Sequence, residues 1–379
     1  MRRPRKVLIS GGGTGGHIYP ALAIARELER AVPQELAAPV EIVYVGVAGG
    51  MEERLAKQAG YRFLAVEAGG LVGKRPLELL RNGARMGIGL FQAAALLRRE
   101  KPDLVVGTGG YAAAPLLVAA VLLRVPAVIQ EQNAVPGRVN QMLAPWVREV
   151  YLAYPEAARR LRGRSLVTGN PIRAEVVEAR REEARRRLGL PAGDALVLCT
   201  MGSRGSAAVN RVLADLTAEW ARRPPGRPPA FLLLATGRAH HRDFLARLGR
   251  AGVPEEGPHH RVLAYIDEMP QALAAADLAV ARAGAISLAE LTARGLPAVL
   301  VPSPHVAYDH QHANAAALAR QGAAVVLEEA ELTPERLRSL LERLLGDREE
   351  LARMAAASRS LGRPEAARAV AERLLRLLR

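Results

Sequence analysis

The sequence is poor in cysteine and in aromatic residues: it has one cysteine, two tryptophans, eight tyrosines and four phenylalanines among 379 residues. A lone cysteine, Cys199, excludes a disulfide framework within the chain and a cluster of thiolate metal ligands. Long apolar runs are also missing, because the longest, 112–123, is too short to span a bilayer and contains Pro115. The first residues do not show the pattern of a secretory signal. These absences predict a soluble protein of a reducing, cytoplasmic compartment.

Positive charge is abundant, with 53 lysines and arginines against 38 acidic residues and a formal net charge of +15. Many arginines lie in helical runs with glutamate, such as 175–187, and such runs are commonly solvated helix faces. The rest of the excess favours an anionic partner: a nucleic acid, a phosphorylated substrate or an acidic lipid. The few aromatic residues and the lack of a recognisable binding module disfavour nucleic acid.

Short apolar runs alternate with longer helical patterns along the whole chain, which predicts α/β architecture with parallel sheets built from βαβ units. The strands are predicted at 6–10, 40–46, 63–67, 103–108, 126–131, 149–154, 195–201, 230–236, 261–266, 277–281, 298–302 and 323–327. The length predicts two domains. The turn 168–171 suggests the division 1–168 and 169–360, followed by an amphipathic helix within 361–379. That helix could pack on either domain, and we prefer the N-terminal one.

The first glycine-rich segment, 11–16, follows a predicted strand and precedes a predicted helix. Gly11, Gly13 and Gly16 have the dinucleotide-binding spacing, so a redox enzyme is one alternative. The second predicted strand ends at 44–47 without the carboxylate that would hold a ribose, which disfavours this alternative. No Gly-Lys-Ser/Thr ending follows either glycine segment, so hydrolysis of a nucleoside triphosphate is not expected.

His17 comes directly after this glycine segment. Glycines at a helix start let a substrate approach the backbone closely, and a histidine there can accept a proton near neutral pH. We therefore favour a general base at His17, while a histidine that only caps the helix is the alternative.

A second glycine segment, 202–206, also precedes a helix, and its amides with a serine hydroxyl suit a diphosphate. A plain turn with a helix N-cap is the alternative. The strand–turn–helix segment 281–290 places Glu290 within its helix, where the carboxylate could accept two ribose hydroxyls or pair along the helix face.

Six short blocks, in order from about residue 6 to residue 320, resemble glycosyltransferase family 28. They are Gly12-Gly13-Thr14-Gly15-Gly16-His17-Ile18-Tyr19-Pro20, Thr108-Gly109-Gly110-Tyr111, Glu131-Gln132-Asn133, Gly169-Asn170-Pro171-Ile172-Arg173, Ala285–Glu290 and Asp309-His310-Gln311 with Asn314. Any one block is weak evidence, but six blocks in order at family-like spacing are specific.

This resemblance implies a GT-B fold, in which two Rossmann-like domains face each other across a cleft. It implies inverting transfer of N-acetylglucosamine from UDP-GlcNAc to the 4-hydroxyl of undecaprenyl-diphospho-N-acetylmuramoyl-pentapeptide, a step of peptidoglycan synthesis tied to cell shape and division. The expected partners are these two substrates and an anionic membrane, and the expected place is the cytoplasmic face of the bacterial plasma membrane.

The resemblance also implies roles for individual residues. His17 and Glu131 are the catalytic candidates, with His17 the preferred base, and Tyr111 and Asn140 lie on the acceptor side with them. Ser203 is expected to meet the diphosphate, Ile266 to contact uracil through its backbone, and Gln311 to bind the sugar hydroxyls. The full set of expected donor contacts is Thr14, Gly15, Gly16, Asn133, Arg173, Ser203, Ile266, Ala285, Ile286, Ser287, Leu288, Ala289, Glu290 and Gln311.

One block departs from the family pattern. Where the family usually has Gly-Gly-Ser-Gln-Gly-Ala, this chain reads Met-Gly-Ser-Arg-Gly-Ser at 201–206. The serine and its flanking glycines remain, so we expect the phosphate-binding turn to form. The arginine, Arg204, could strengthen diphosphate binding or point into solvent, and the sequence leaves both open.

Segment 71–101 mixes Lys74, Arg75, Arg81 and Arg85 with five large apolar residues: Leu77, Leu80, Ile88, Leu90 and Phe91. A basic amphipathic surface of this kind fits adsorption to anionic lipid headgroups. An ordinary core-facing helix with solvated arginines is the alternative, and the resemblance favours the membrane.

No Asp-x-Asp motif and no histidine–carboxylate cluster is present in the sequence, so we expect no tightly held metal and no cofactor. A UDP-GlcNAc 2-epimerase of the same fold remains an alternative, and it would convert UDP-GlcNAc without an acceptor. A membrane scaffold that binds the UDP-sugar without turnover is a further alternative.

Overall fold

The computed structural model describes residues 3–70, 76–190, 194–202, 205–223, 230–306 and 309–379. Its strands are β1 Arg5–Ser10, β2 Val40–Gly46, β3 Arg62–Ala65, β4 Leu104–Gly107, β5 Ala127–Glu131, β6 Glu149–Leu152, β7 Ser165–Val167, β8 Ala195–Thr200, β9 Ala230–Ala235, β10 Glu256–Gly257, β11 His260–Leu263, β12 Leu278–Ala281, β13 Ala298–Leu300 and β14 Ala324–Val326. Its helices are α1 Gly15–Leu36, α2 Met51–Gln58, α3 Pro76–Glu100, α4 Ala114–Leu122, α5 Arg138–Leu143, α6 Ala174–Glu178, α7 Arg181–Arg187, α8 Ala207–Ala221, α9 His241–Arg250, α10 Met269–Ala275, α11 Ala285–Arg294, α12 His310–Ala319, α13 Pro334–Gly346, α14 Arg348–Leu361 and α15 Ala366–Leu378.

All twelve predicted strands are present, which confirms the predicted α/β class. Two further strands, β7 and β10, were not predicted, because the sequence at each has at most two consecutive apolar residues. None of the helices in the part of the chain that the structure describes is both long and apolar enough to cross a membrane.

Each of two compact units contains one seven-stranded sheet. The first sheet has the order β3-β2-β1-β4-β5-β6-β7, with every neighbouring pair parallel. The strand order reverses at β1, because the chain moves outward to β3 and then returns to β4 on the other side. The second sheet, β10-β11-β9-β8-β12-β13-β14, has the same reversal at β8. Sheets of this kind bind ligands at the carboxyl ends of the strands beside the reversal.

Side chains alternate between the two faces of the first sheet, as the two-residue period of a strand requires. Val7 and Ile9 pack on one face with α1 and α15, while Leu8 packs on the other with α3 and α4. The C-terminal helix α15 buries an apolar stripe against α1, and its Arg373 pairs with the buried carboxylate of Glu149.

The first unit comprises Met1–Arg173 together with Arg363–Arg379, and the second comprises Ala174–Gly362. The chain thus divides after Arg173, slightly beyond the turn at 168–171 that the sequence suggested. The reason is that Asn170 still bonds into the first unit, accepting from Gln130 at 3.0 Å and donating to the Gln132 carbonyl at 3.1 Å.

Candidate active site

Two turns meet at the strand-order reversal of the first sheet. The first glycine turn, residues 11–16, follows β1, and the turn 108–110 follows β4. The amide of Gly12 donates to the carbonyl of Gly109 at 3.3 Å. Gly110 has φ of +76°, and a Cβ there would lie 2.1 Å from the carbonyl oxygen of Gly12, so only glycine allows this approach.

His17 lies half-buried where these turns meet, in the first turn of α1. Its Nδ1 is 2.8 Å from Oε1 of Gln132 and 3.1 Å from the carbonyl oxygen of Thr108. Both neighbours are acceptors, so Nδ1 carries the proton and the neutral ring has its lone pair on Nε2. Nε2 makes no hydrogen bond to any residue that the structure describes.

A buried network of amides determines this orientation of the ring. Nε2 of Gln132 donates to the carbonyl oxygens of Thr108 at 2.6 Å and Gln130 at 3.0 Å, and it also contacts Oε1 of Gln130. A flipped Gln132 amide would place its oxygen against three acceptors, so Oε1 must face His17. Asn170 holds both glutamines from the other side.

Glu131 is buried with 2% of its surface exposed, and both carboxylate oxygens are engaged. Oε1 accepts from the backbone amide of Asn133 at 3.0 Å and from its side chain at 3.4 Å. Oε2 accepts from the amide of Gly137 at 3.0 Å and from Nδ2 of Asn140 at 2.7 Å. These four donors connect the Glu131 carboxylate to the loop after β5 and to the start of α5. Asn140, at 5% exposure, is part of the same support.

The first glycine turn leads into a helix start that no side chain caps. The helix α1 begins at Gly15 with Thr14 as N-cap. The first amides of a helix have no partner inside it, so those at Thr14, Gly15 and Gly16 face outward. Tyr111 is 40% exposed with its ring over Gly13, and burial and then the Glu52 carboxylate raise the pKa of its hydroxyl.

Arg173 stacks its guanidinium 5.0 Å from the ring centroid of Tyr19, a residue of α1. A cation over an aromatic face is held by electrostatic attraction to the ring. Arg173 therefore belongs to the surroundings of the first glycine turn, within the first unit.

The second glycine turn, residues 202–206, follows the strand β8. Ser203 and Arg204 of this turn lie outside the described residues. Gly205 has φ of +72°, and a Cβ there would lie 2.1 Å from the carbonyl oxygen of Thr236. Ser206 caps α8 by accepting from the amide of Val209 at 3.4 Å.

Arg282 is the buried charge beside this turn, with 8% of its surface exposed. Its Nη2 donates to Oγ of Ser206 at 2.7 Å and pairs with Glu329. Its Nη1 donates to the carbonyl oxygens of Val301 and Pro302, each at 3.0 Å. The guanidinium thus joins the turn to the end of β13 and to the segment after β14.

The predicted nucleotide segment forms the start of α11, with Gly284 as N-cap. Side chains of Ala285, Ile286 and Leu288 are buried in the core of the second unit, so these positions can offer only backbone atoms to a ligand. The amide of Leu288 already donates to Gly284 at 3.0 Å. Ser287 and Ala289 are half-buried, and Glu290 is 8% exposed.

Two other predicted donor contacts lie in loops and helix starts of the second unit. Ile266 is 3% exposed and follows β11, beside Tyr265, whose ring is covered by Arg238 at 5.3 Å. Gln311 lies in the first turn of α12, and its Oε1 accepts from the amide of Ser303 at 2.9 Å. Its Nε2 bonds to no residue that the structure describes, so that group remains as a donor for hydroxyls.

Four residues that shape these sites were assigned no role from the sequence: Glu52, Gln132, Asn170 and Arg282. Glu52 is buried at 1% exposure and accepts from the amide of Gly13 at 3.3 Å. Gln132 and Asn170 lie within two of the family-like blocks, and Arg282 lies at the start of segment 281–290, so membership of those blocks was the available signal. Across the described residues, no three His, Cys, Asp or Glu side chains gather closely enough to hold a metal ion.

Solved structures show which class of protein has this fold. The calicheamicin glycosyltransferase CalG4 matches 100% of the chain with a TM-score of 0.67 at 19% identity, covering 99% of its own chain. MurG of Acinetobacter baumannii matches 98% of the chain with a TM-score of 0.73 at 28% identity, covering 99% of its own chain. The fold is that of the two-domain GT-B glycosyltransferases.

The chain belongs to glycosyltransferase family 28, since the model of that family's N-terminal domain matches residues 7–152 and the model of its C-terminal domain matches residues 196–372. It is 42% identical over 376 residues to a protein of Symbiobacterium thermophilum, covering 99% of this chain and 96% of that relative. That relative is named UDP-N-acetylglucosamine--N-acetylmuramyl-(pentapeptide) pyrophosphoryl-undecaprenol N-acetylglucosamine transferase. The family inferred from the six sequence blocks is confirmed.

The stability of the first turn of α12 should depend on pH through the protonation of His312. Burial lowers the pKa of this ring, but hydrogen bonds to Asp309 and Glu328 outweigh burial and raise it above the ordinary value. With the folded pKa raised, the contribution of these ion pairs is complete below the ordinary value of about 6.5 and disappears as pH rises through the folded pKa. Amide exchange in the first turn of α12, corrected for its intrinsic pH dependence, should therefore be faster at about pH 9 than at about pH 6.

Two variants separate this cause from a general effect of pH. His312→Gln should abolish the difference, whereas His310→Gln, in the same turn, should retain it because His312 and both carboxylates remain. Equal protection at both pH values in the unaltered chain would contradict the assignment.

Proposed function

We propose that the protein transfers N-acetylglucosamine from UDP-GlcNAc to the 4-hydroxyl of undecaprenyl-diphospho-N-acetylmuramoyl-pentapeptide, with inversion at the anomeric carbon. Membership of family 28 and the names of close relatives support the substrates. The observation that carries the chemistry is His17, whose Nδ1 is held by two acceptors while Nε2 is left with its lone pair.

In this proposal the acceptor oxygen attacks the anomeric carbon as the bond from that carbon to UDP breaks. UDP leaves with the bonding electrons, and the hydroxyl proton moves to Nε2 of His17. The protonated ring keeps its Nδ1 hydrogen bonds, so no rearrangement accompanies the transfer. Glu131 acts as a positioning residue, because its oxygens hold the loop after β5 through four donors.

The charge that develops on UDP needs preorganised donors. We assign this part to the backbone amides at the starts of α8 and α11 and to Ser203. Arg282 is already paired with Glu329, so its part is to hold Ser206 and the second glycine turn in place. Glu290 and Gln311 are assigned to the ribose and the sugar hydroxyls, and Thr14–Gly16, Asn133 and Arg173 to the transferred sugar.

Labelled UDP-GlcNAc mixed with the lipid-linked muramoyl-pentapeptide should yield the labelled disaccharide lipid. His17→Ala should lower turnover by roughly 10²-fold or more, because the attacking hydroxyl loses its base, while UDP-GlcNAc affinity changes little. His17→Asn is the matched control, since its amide can replace the Nδ1–H donor without replacing Nε2. It should be as slow as the alanine variant.

Near-normal turnover in either variant would remove His17 from the role of base. Conversion of UDP-GlcNAc in the absence of the acceptor would favour the epimerase alternative. Binding of UDP-GlcNAc with no product under any condition would favour the non-catalytic scaffold.

We further propose that the first unit docks on an anionic membrane from the cytoplasmic side. Six large apolar side chains are strongly exposed on α3, at the end of α4, and on or just after α5: Leu80 74%, Ile88 51%, Phe91 80%, Leu122 67%, Met142 72% and Trp146 72%. These helices cover the same face of the first sheet, because their inner residues share one core cluster. We call the six exposed residues the apolar patch.

Exposed arginines border the apolar patch: Arg81 follows Leu80, Arg124 follows Leu122 closely, and Arg148 follows Trp146 closely. Of the residues expected to form this surface, Leu90 is partly buried against the core, and Lys74 and Arg75 lie outside the described residues. Apolar side chains among arginines suit a bilayer interface with acidic headgroups.

The protein should bind vesicles that contain phosphatidylglycerol, and binding should weaken as salt is added. The double variant Phe91→Ser, Trp146→Ser should lower the partition coefficient by about tenfold or more, since two apolar side chains no longer enter the interface. The matched control is Val177→Ser, an exposed apolar residue of the second unit, which should bind normally. Equal binding to neutral vesicles at high salt, or full binding of the double variant, would contradict the proposal.

A further inference from the structure

Glu52 is a buried charge that the proposed reaction does not use. It lies in the first turn of α2 with 1% of its surface exposed. Its Oε2 accepts from the amide of Gly13 at 3.3 Å, and its Oε1 accepts from the amide of Val47 at 3.4 Å. The carboxylate therefore links the first glycine turn to the end of β2.

The backbone closes tightly around this carboxylate. A Cβ at Gly12 would lie 2.6 Å from its Oε1, and one at Gly50 would lie 2.8 Å from its Oε2. A side chain at either position would collide with the carboxylate, so both glycines allow this close approach. The position also suits a carboxylate, because the first turn of a helix carries partial positive charge.

The carboxylate changes what the first glycine turn can bind. Glycine turns at helix starts ordinarily suit phosphate, because their amides converge on an anion. Here the amide of Gly13 is already engaged by a carboxylate, and a phosphate on the neighbouring amides at 14–16 would be repelled by this negative charge, which bonds to the adjacent residue. The second glycine turn differs, since the buried charge beside it is the guanidinium of Arg282.

We propose that Glu52 makes the first glycine turn selective for an uncharged oxygen that accepts hydrogen bonds, such as a hydroxyl or acetamido oxygen of a sugar. By the same charge, Glu52 excludes diphosphate from this turn. Glu52 is also a positioning residue, because it holds Gly13 and so the turn that leads to His17. Which sugar group occupies the turn rests on the proposed function, whereas the exclusion of phosphate does not.

Inorganic pyrophosphate tests this exclusion in the full-length chain. The protein is labelled with ¹⁵N-glycine and saturated with UDP, and the amide signals of Gly13, Gly15 and Gly16 are followed as pyrophosphate is added. The wild-type signals should show no saturable shift at millimolar pyrophosphate. A saturable shift there would overturn the proposal on its own, whether or not any variant folds.

Glu52→Gln removes the charge at nearly constant size. Its glycine signals should shift saturably, with an affinity for pyrophosphate at least about tenfold above the wild-type limit. The matched control is Glu53→Gln, which removes the same charge from the same helix turn. Glu53 accepts from the amide of Gly49 at 2.6 Å and pairs with Lys57 at 2.7 Å, so it does not reach Gly13. The control should behave as wild type.

A folded Glu52→Gln protein whose affinity for pyrophosphate does not rise would contradict the proposal. An equal rise in Glu53→Gln would also contradict it, because net charge and not the Glu52 carboxylate would then determine the affinity. Glu52→Asp keeps the charge but shortens the reach to Gly13, so it should still exclude pyrophosphate while lowering turnover. The titration contains no acceptor and no transfer step. A chain that excludes pyrophosphate but transfers no sugar would therefore count against the proposed function alone.

Discussion

Nδ1 of His17 lies beside two hydrogen-bond acceptors: the carbonyl oxygen of Thr108, in the loop after β4, and Oε1 of Gln132, in the loop after β5. The ring itself is carried by the helix after β1. Three adjacent strands of one parallel sheet thus end at a single side chain, and the buried amides of Gln130, Gln132 and Asn170 keep its acceptors in place. If this arrangement relaxed, Nε2 would lose the defined position on which the proposed role of His17 as a base depends.

The two units share the same reversal of strand order but have opposite buried charges beside their glycine turns. In the first unit Glu52 accepts a hydrogen bond from Gly13 of the turn, and in the second Arg282 donates one to Ser206 of the turn. Each charge ties a turn to a neighbouring segment of its own unit, so each is part of the support as well as of the electrostatics. Under the two proposals, similar glycine turns bind an uncharged group in one unit and a diphosphate in the other.

Much of the fold could be predicted from the sequence, because apolar strand segments, helical patterns and glycine turns are local features. The twelve predicted strands follow from such patterns, and so does the position of His17 directly after a glycine turn. The short strands β7 and β10 do not, since their pairing depends on neighbours supplied by the fold. The partners of Glu52 and Arg282 lie far along the chain, at Gly13 and Glu329, so no spacing rule reveals them. The four donors around Glu131 were likewise not visible in the sequence, because they are brought together by the loop that follows β5.

The protonation of His17 tests the account most directly. In the chain labelled with ¹⁵N-histidine, long-range ¹H–¹⁵N correlation distinguishes the two ring nitrogens, and His17 is the one histidine between residues 1 and 173. With the ring neutral, the proton should be found on Nδ1, and Nε2 should be unprotonated. A proton on Nε2 instead would mean that the acceptors around Nδ1 do not set the tautomer, and the proposed base would lose its lone pair.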